Sequence, residues 1–141
     1  MDTPLSIDGS SLTIKDVVDV ARNGREVTLA PLARERMMKS YAWVKQASEQ
    51  DQPVYGVNTG FGSLARVKID PANSSKLSLN LIRSHAAGVG PLLPVPEIRA
   101  MMLLRANALA KGASGCRPVL VDTLLEMLAK ATTCNDARTT S

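Results

Sequence analysis

Aromatic side chains are scarce in this sequence. They make up 3% of its 141 residues, namely Tyr41, Trp43, Tyr55 and Phe61. A core built without them must be aliphatic, from Leu, Val, Ile, Ala and six Met. That composition favours helices over a β-sandwich. Cysteine is nearly as rare. Cys116 and Cys134 are too few for a disulfide framework and form no C-x-x-C pair. His85 is the single histidine, so a histidine-based zinc site has no material and no metal is expected. No run of five like charges occurs. The basic residues behind the net charge of +4 are scattered, without the clustering and stacking aromatics that a nucleic-acid surface needs. No segment is long and apolar enough to span a membrane, and Met1-Asp2-Thr3-Pro4 does not begin a secretory leader. The default expectation is a reducing, cytoplasmic location, with neither nucleic acid nor membrane as partner.

What is present reads mainly as helix. With 45% hydrophobic residues and this length, the chain fits one domain with a real core. Residues 5–12 read as an extended segment ending at Asp8-Gly9. Thr13-x-x-Asp16 has the form of a capping box, so a helix should run from there to about Asn23, with Gly24 closing it. Arg25–Ala30 reads as a short strand, and Pro31 as the first turn of a helix over 32–49. The stripe of that helix is Leu32, Met37, Met38, Tyr41, Val44 and Ala47. Pro53–Ile69 has three glycines between 56 and 62, which excludes helix and predicts a strand stub followed by a tight loop. Asp70-Pro71 starts another helix, ending near Gly88 or Gly90, with Leu77, Leu81, Ile82 and Ala87 inward. Two more helices are predicted, over 96–111 and over 117–130. The second repeats Leu120, Leu124 and Leu128. These last three helices are apolar on more than one face, which predicts burial against further protein or self-association. Residues 1–130 form the expected domain. Residues 131–141, rich in Thr, Ser and Asn, form a tail expected to fray.

Three places could carry chemistry. Tyr55 sits beside a glycine-rich loop with Asn58 and Thr59. A phenol acting as general base needs its phenolate stabilised, and exposed backbone N–H groups can do that. The alternative is a tyrosine that simply anchors a turn. His85 closes Ser84-His85-Ala86-Ala87-Gly88 and could contact a substrate or serve as a core histidine. Arg105 and Asn107 lie two apart and cannot share a helix face. Arg117, after Ala113-Ser114-Gly115-Cys116, could bind a carboxylate or fix the turn. No nucleotide-binding fingerprint and no catalytic triad can be assembled.

Taken together, three blocks resemble the aromatic amino-acid ammonia-lyases. They are Val54-Tyr55-Gly56-Val57-Asn58-Thr59-Gly60-Phe61-Gly62, Asn80-Leu81-Ile82-Arg83-Ser84-His85-Ala86-Ala87-Gly88-Val89-Gly90, and Leu104-Arg105-Ala106-Asn107-Ala108-Leu109-Ala110-Lys111-Gly112 with Ser114-Gly115 and Arg117-Pro118. The resemblance covers roughly residues 5–130 and is strongest to histidine-type enzymes. It implies a mostly α fold, the N-terminal domain of a lyase-like helical protein with a short strand or two and a Gly-rich loop. It makes Tyr55 the catalytic base for the β-proton, and His85, Asn58 and Gly62 substrate-binding residues. Plant phenylalanine-type enzymes carry Phe-Leu where this chain has Ser84-His85, so an imidazole substrate is favoured. Ser114, Gly115 and Arg117 fall in what the family uses as a structural turn. Ser78 stands where Gln is frequent.

The family's electrophile is a methylidene-imidazolone, formed by cyclisation of an Ala-Ser-Gly. The resemblance places that tripeptide beyond residue 130, in a Gly-Ala-Ser-Gly-Asp context, and not at Ala113–Gly115. None is therefore expected in this chain. The unmatched tail reads as a frameshift or a truncation. The chain is expected to be the N-terminal part of an enzyme converting histidine to urocanate and ammonia, inactive alone, from a parent that is a homo-tetramer by resemblance. The alternatives are a non-catalytic module pairing with a full-length lyase, and a segment of a related aminomutase.

Overall fold

The computed structural model describes residues 3–50, 52–59, 71–88 and 90–130. The chain divides into two compact units. One holds Met1–Tyr41 with Leu92–Ser141, and the other holds Ala42–Pro91. Two strands and five helices follow in the order β1 (Leu5–Ile7), α1 (Ile14–Asn23), β2 (Val27–Leu29), α2 (Pro31–Ser48), α3 (Pro71–His85), α4 (Val95–Ala110) and α5 (Pro118–Ala129). The fold is mostly helical, as the sequence predicts. Among the described residues no helix is long and apolar enough to cross a membrane, and no cluster of His, Cys, Asp or Glu could hold a metal ion.

The first unit starts with a parallel pair. β1 and β2 align Leu5 with Val27, Ser6 with Thr28 and Ile7 with Leu29. Parallel strands need a crossover, and α1 supplies it. Its start is the predicted capping box: Thr13 Oγ1 accepts from Asp16 N–H at 3.2 Å, and Asp16 Oδ2 accepts from Thr13 N–H at 3.1 Å. Its end is Gly24, at φ 71°. Just before α1, the Asp8 carboxylate accepts from the Ser10 and Ser11 amides and from Ser11 Oγ. Those amide bonds hold its carboxyl well below the usual carboxylate range.

The core of this unit gathers on α4, which buries Ile98, Met102, Leu103, Ala106, Leu109 and Ala110. Ile7, Val20, Ala33, Met37 and Val121 close around them. One predicted face is rotated from its expected position, on α5, and the stripe predicted on α2 holds at Met37, Tyr41, Val44 and Ala47 but not at Leu32 and Met38. On α2 the buried residues are Ala33, Met37 and Ala47, while Leu32 and Met38 are exposed. On α5 the buried stripe is Val121, Leu125 and Leu128, and Leu120 faces out. On α5 the cause is that the segment carries apolar residues around more than one face, so periodicity alone could not select the side that meets α4.

Gly9 is where the β1–α1 connection meets the end of α4. Its N–H donates to Asn107 Oδ1 at 2.9 Å, its φ is 91°, and a Cβ there would lie 2.6 Å from the Lys111 backbone nitrogen. Backbone cannot give way as a flexible side chain can. Gly9→Ala should therefore cost about 2–5 kcal/mol, the sum of left-handed strain and overpacking. Denaturant unfolding followed by helical circular dichroism measures it, and a loss under about 0.5 kcal/mol would remove Gly9 from the packing argument.

In the second unit α3 ends at His85, earlier than the expected Gly88 or Gly90. Ile82 and Ala87 are exposed rather than inward, and Leu77 and Leu81 are half-buried. The strand stub expected at the start of Pro53–Ile69 is not formed at 53–58, and residues 60–69, where the loop was expected to continue, lie outside the described residues. Residues 55–58 form a turn instead, for a reason that lies in one side chain, described next.

Candidate active site

Tyr55 occupies the second position of a turn that begins at Val54. The Val54 carbonyl accepts from Val57 N–H at 3.0 Å and from Asn58 N–H at 3.2 Å. Gly56, third in the turn, has φ 73°. A turn of this kind demands a left-handed third residue, which glycine supplies without steric cost. The Gly56 N–H in turn donates to Thr59 Oγ1 at 3.3 Å. The peptide groups on both sides of Tyr55 are thus held, while its side chain stays 64% exposed.

Asn58 and Thr59, in contrast, are buried. Asn58 Oδ1 accepts from Val54 N–H at 2.7 Å. Its Nδ2 lies 2.9 Å from the Gln52 carbonyl, 3.2 Å from that of Gln50 and 3.4 Å from that of Ala47. Those bonds explain the missing strand stub. They bring residues 50–54 back against Asn58, which an extended segment would not do.

His85 closes α3 with its ring exposed. Nδ1 lies 2.9 Å from the Leu81 carbonyl and 3.0 Å from Ser84 Oγ. A carbonyl only accepts, so the proton of the neutral ring belongs on Nδ1. Nε2 then carries the free lone pair and offers an acceptor outward. Gly62 lies outside the described residues.

Ser114, Gly115 and Arg117 belong to the first unit, whereas Tyr55, Asn58 and His85 belong to the second. The turn at 113–117 is tied down by Gly115 N–H, which donates to Ser40 Oγ at 3.0 Å. Arg117 precedes Pro118 at the start of α5 and is exposed. It lines a depression with Arg34, Met38, Tyr41 and Asp122, where Arg34 and Asp122 form a bidentate pair. Both partners of that pair are solvent-exposed, so it contributes at most about 1 kcal/mol.

Ala113–Gly115 does not fit the methylidene-imidazolone. Closing that ring joins the nitrogen of the last residue to the carbonyl carbon of the first. Here the Gly115 nitrogen is committed to Ser40, and Ala113 and Ser114 lie exposed on a surface turn. A groove of about 690 Å³ along α4 is mainly apolar, lined by Leu93, Met101, Leu104, Arg105 and Ala108. It holds no acid or base to do chemistry with.

Sequence reasoning missed Arg99. It is buried in α4 and donates to the carbonyls of Val20 at 3.0 Å and Leu128 at 2.9 Å, in the last turns of α1 and α5. The signal was there: a charged residue between Ile98 and Met102 in an otherwise apolar helix face. Asn107 was singled out, but its role as acceptor for Gly9 was not.

Comparison with known proteins gives a consistent result. The family described as aromatic amino acid lyase matches residues 12–134. The histidine ammonia-lyase of Anaeromyxobacter sp. (strain K) is 52% identical over 124 residues, covering 88% of this chain and 24% of that protein. That of Stigmatella aurantiaca is 49% identical over 124 residues, with the same coverage of each. Among solved structures, tyrosine aminomutase from Streptomyces globisporus superposes with a TM-score of 0.84 at 38% identity, over 91% of this chain and 24% of the other. Histidine ammonia-lyase from Trypanosoma cruzi superposes at 0.80 and 34% identity, over 90% of this chain and 24% of the other. The chain spans about a quarter of the length of the curated relatives it matches. The chain belongs to the aromatic amino acid lyase family.

Proposed function

We propose that this chain supplies the N-terminal part of a histidine ammonia-lyase, an enzyme that eliminates ammonia from histidine to give urocanate. The single observation that carries the proposal is Tyr55: a phenol held outward by a fixed turn, in a chain half identical to histidine ammonia-lyases. In the elimination the Cβ–H and Cα–N bonds break and the Cα–Cβ double bond forms. Tyr55 Oη is the base that takes the Cβ proton. His85 Nε2, the free acceptor of its ring, takes a hydrogen bond from the imidazole N–H of the substrate. Gly62 completes the substrate contacts.

The family's methylidene-imidazolone makes the amino group a better leaving group. Ala113–Gly115 does not provide it, so this chain contributes the base and a substrate contact but no electrophile. By itself it should release no ammonia. The working enzyme is proposed to be a homo-tetramer acting on a free amino acid in the cytoplasm.

The test joins residues 1–130 to the remaining three quarters of the Anaeromyxobacter relative and measures ammonia release from L-histidine, L-phenylalanine and L-tyrosine. Histidine should be preferred by at least about 100-fold in kcat/KM, because a site built to hydrogen-bond an imidazole leaves polar groups unpaired with a phenyl ring. Preference for phenylalanine would reject the substrate, and release by the unjoined chain would reject the missing electrophile. One observation favours a second reading, namely the likeness to tyrosine aminomutase. A β-amino acid product from tyrosine would establish it.

A further inference from the structure

Asn58 is poorly placed to touch a substrate. It is only 7% exposed, and both ends of its amide are engaged. Its two N–H groups already face three carbonyls, so they have no capacity for another acceptor. We infer that Asn58 is instead a positioning residue, which fixes the turn that presents Tyr55 by tying it to the C-terminal end of α2. The inference rests on Tyr55 being the base, and deepens that reading by naming what aims it.

Asn58 Oδ1 grips the N–H of Val54, the residue immediately before Tyr55. Nδ2 grips Gln52 on the same approach, and Gln50 and Ala47 at the end of α2. Ala47 is itself buried, at 4% exposure, so the anchor is packed. Thr59 holds the peptide on the other side of Tyr55 through Gly56 N–H. A base works only when it lies within hydrogen-bond reach of the proton it removes, and small displacements cost rate steeply.

The chemistry also explains why this position is an amide. It must accept from one N–H and donate to carbonyls at once. A leucine of similar volume would leave buried backbone groups unpaired. A carboxylate would keep the Val54 bond but set a negative charge against three carbonyl oxygens. A protonated carboxyl again offers one donor and one acceptor.

That last property gives the test. The full chain is labelled with 3-fluorotyrosine, and the resonances of Tyr41 and Tyr55 are assigned with Tyr41→Phe. Hydrogen exchange of the Val54 amide is read alongside. In Asn58→Ala, Val54 exchange should accelerate by about 100-fold, with the Tyr55 resonance moving to the position of an unstructured peptide while Tyr41 and the Leu103 amide of α4 stay unchanged. Asn58→Asp should behave like the native protein in acid; at neutral pH its carboxylate should keep Val54 exchange slow, while the Tyr55 resonance moves toward that of Asn58→Ala because the carbonyls at 47–52 are no longer held. A residue that merely filled space would show no such recovery. A Tyr55 resonance and Val54 exchange unchanged in both variants would overturn the assignment. In the joined enzyme, Asn58→Ala should lower kcat by at least about 10-fold with KM within twofold. Full activity of Tyr55→Phe there would sink the base reading while leaving the spectroscopic result standing, so the two failures are distinguishable.

Discussion

Replacing Arg99 by methionine should destabilise the first unit by about 3 kcal/mol. Two opposed effects decide the size. Arg99 is 8% exposed, so burying its charge costs desolvation, and methionine removes that cost. Against this, Arg99 donates to two carbonyls that sit on buried residues, Val20 at 0% and Leu128 at 4% exposure. Hydrogen bonds from a charged donor contribute about 1.5–3 kcal/mol each, and a buried carbonyl left without a partner costs about 1–3 kcal/mol. Both acceptors also lie in the last turns of helices, where the backbone dipoles favour a cation. The bonds should therefore outweigh the desolvation. Arg99→Lys should recover no more than about half, because an ammonium is a point charge and cannot fork toward two helix ends as a planar guanidinium does. Denaturant melts of the three proteins at low and high salt would check this. The difference should survive salt, since the group is buried. A methionine variant as stable as the native chain would mean that desolvation wins and that Arg99 gives no net stability.

The same residue shows where the sequence could be read and where it could not. Three helix limits were legible because each is set by a few adjacent residues: Thr13 with Asp16, Gly24 and Pro31. Capping is local chemistry, and local chemistry is written in consecutive letters. Which face of a helix is buried was not legible. On α5 both Leu120-Leu124-Leu128 and Val121-Leu125-Leu128 are valid helical stripes, and only the position of α4 selects the second. The start of the 53–69 segment was expected to be a strand stub before a tight loop, and the turn comes earlier for a similar reason. The bonds from Asn58 reach back as far as Ala47, and no local pattern announces them. Of the candidate site, Tyr55, Asn58 and His85 were all named from the sequence, because glycine spacing and a lone histidine stand out in this composition. What the sequence could not separate was an exposed side chain, Tyr55, from a buried one three residues away.

That separation shapes the largest expected effect on activity. In the joined enzyme, Tyr55→Phe should lower kcat for histidine by about 10²–10⁴-fold, the usual contribution of a positioned general base. KM should move little. Phenylalanine keeps the ring, and the bonds that fix the turn run through backbone groups of residues 54–58 and the side chains of Asn58 and Thr59. The variant therefore removes one oxygen from the reaction while keeping the bonds that aim it. A loss in kcat alone is the signature of an interaction made in the transition state and not in substrate binding. Gly56→Ala makes the complementary change: it keeps the phenol and strains the left-handed position beneath it, by about 1–2 kcal/mol. It should lower kcat less than Tyr55→Phe, and adding it to Tyr55→Phe should cost almost nothing further, because a misaimed ring matters only while it carries a base. If Tyr55→Phe instead leaves ammonia release within about threefold of native, the proton is taken by another group and the exposed phenol only caps its turn.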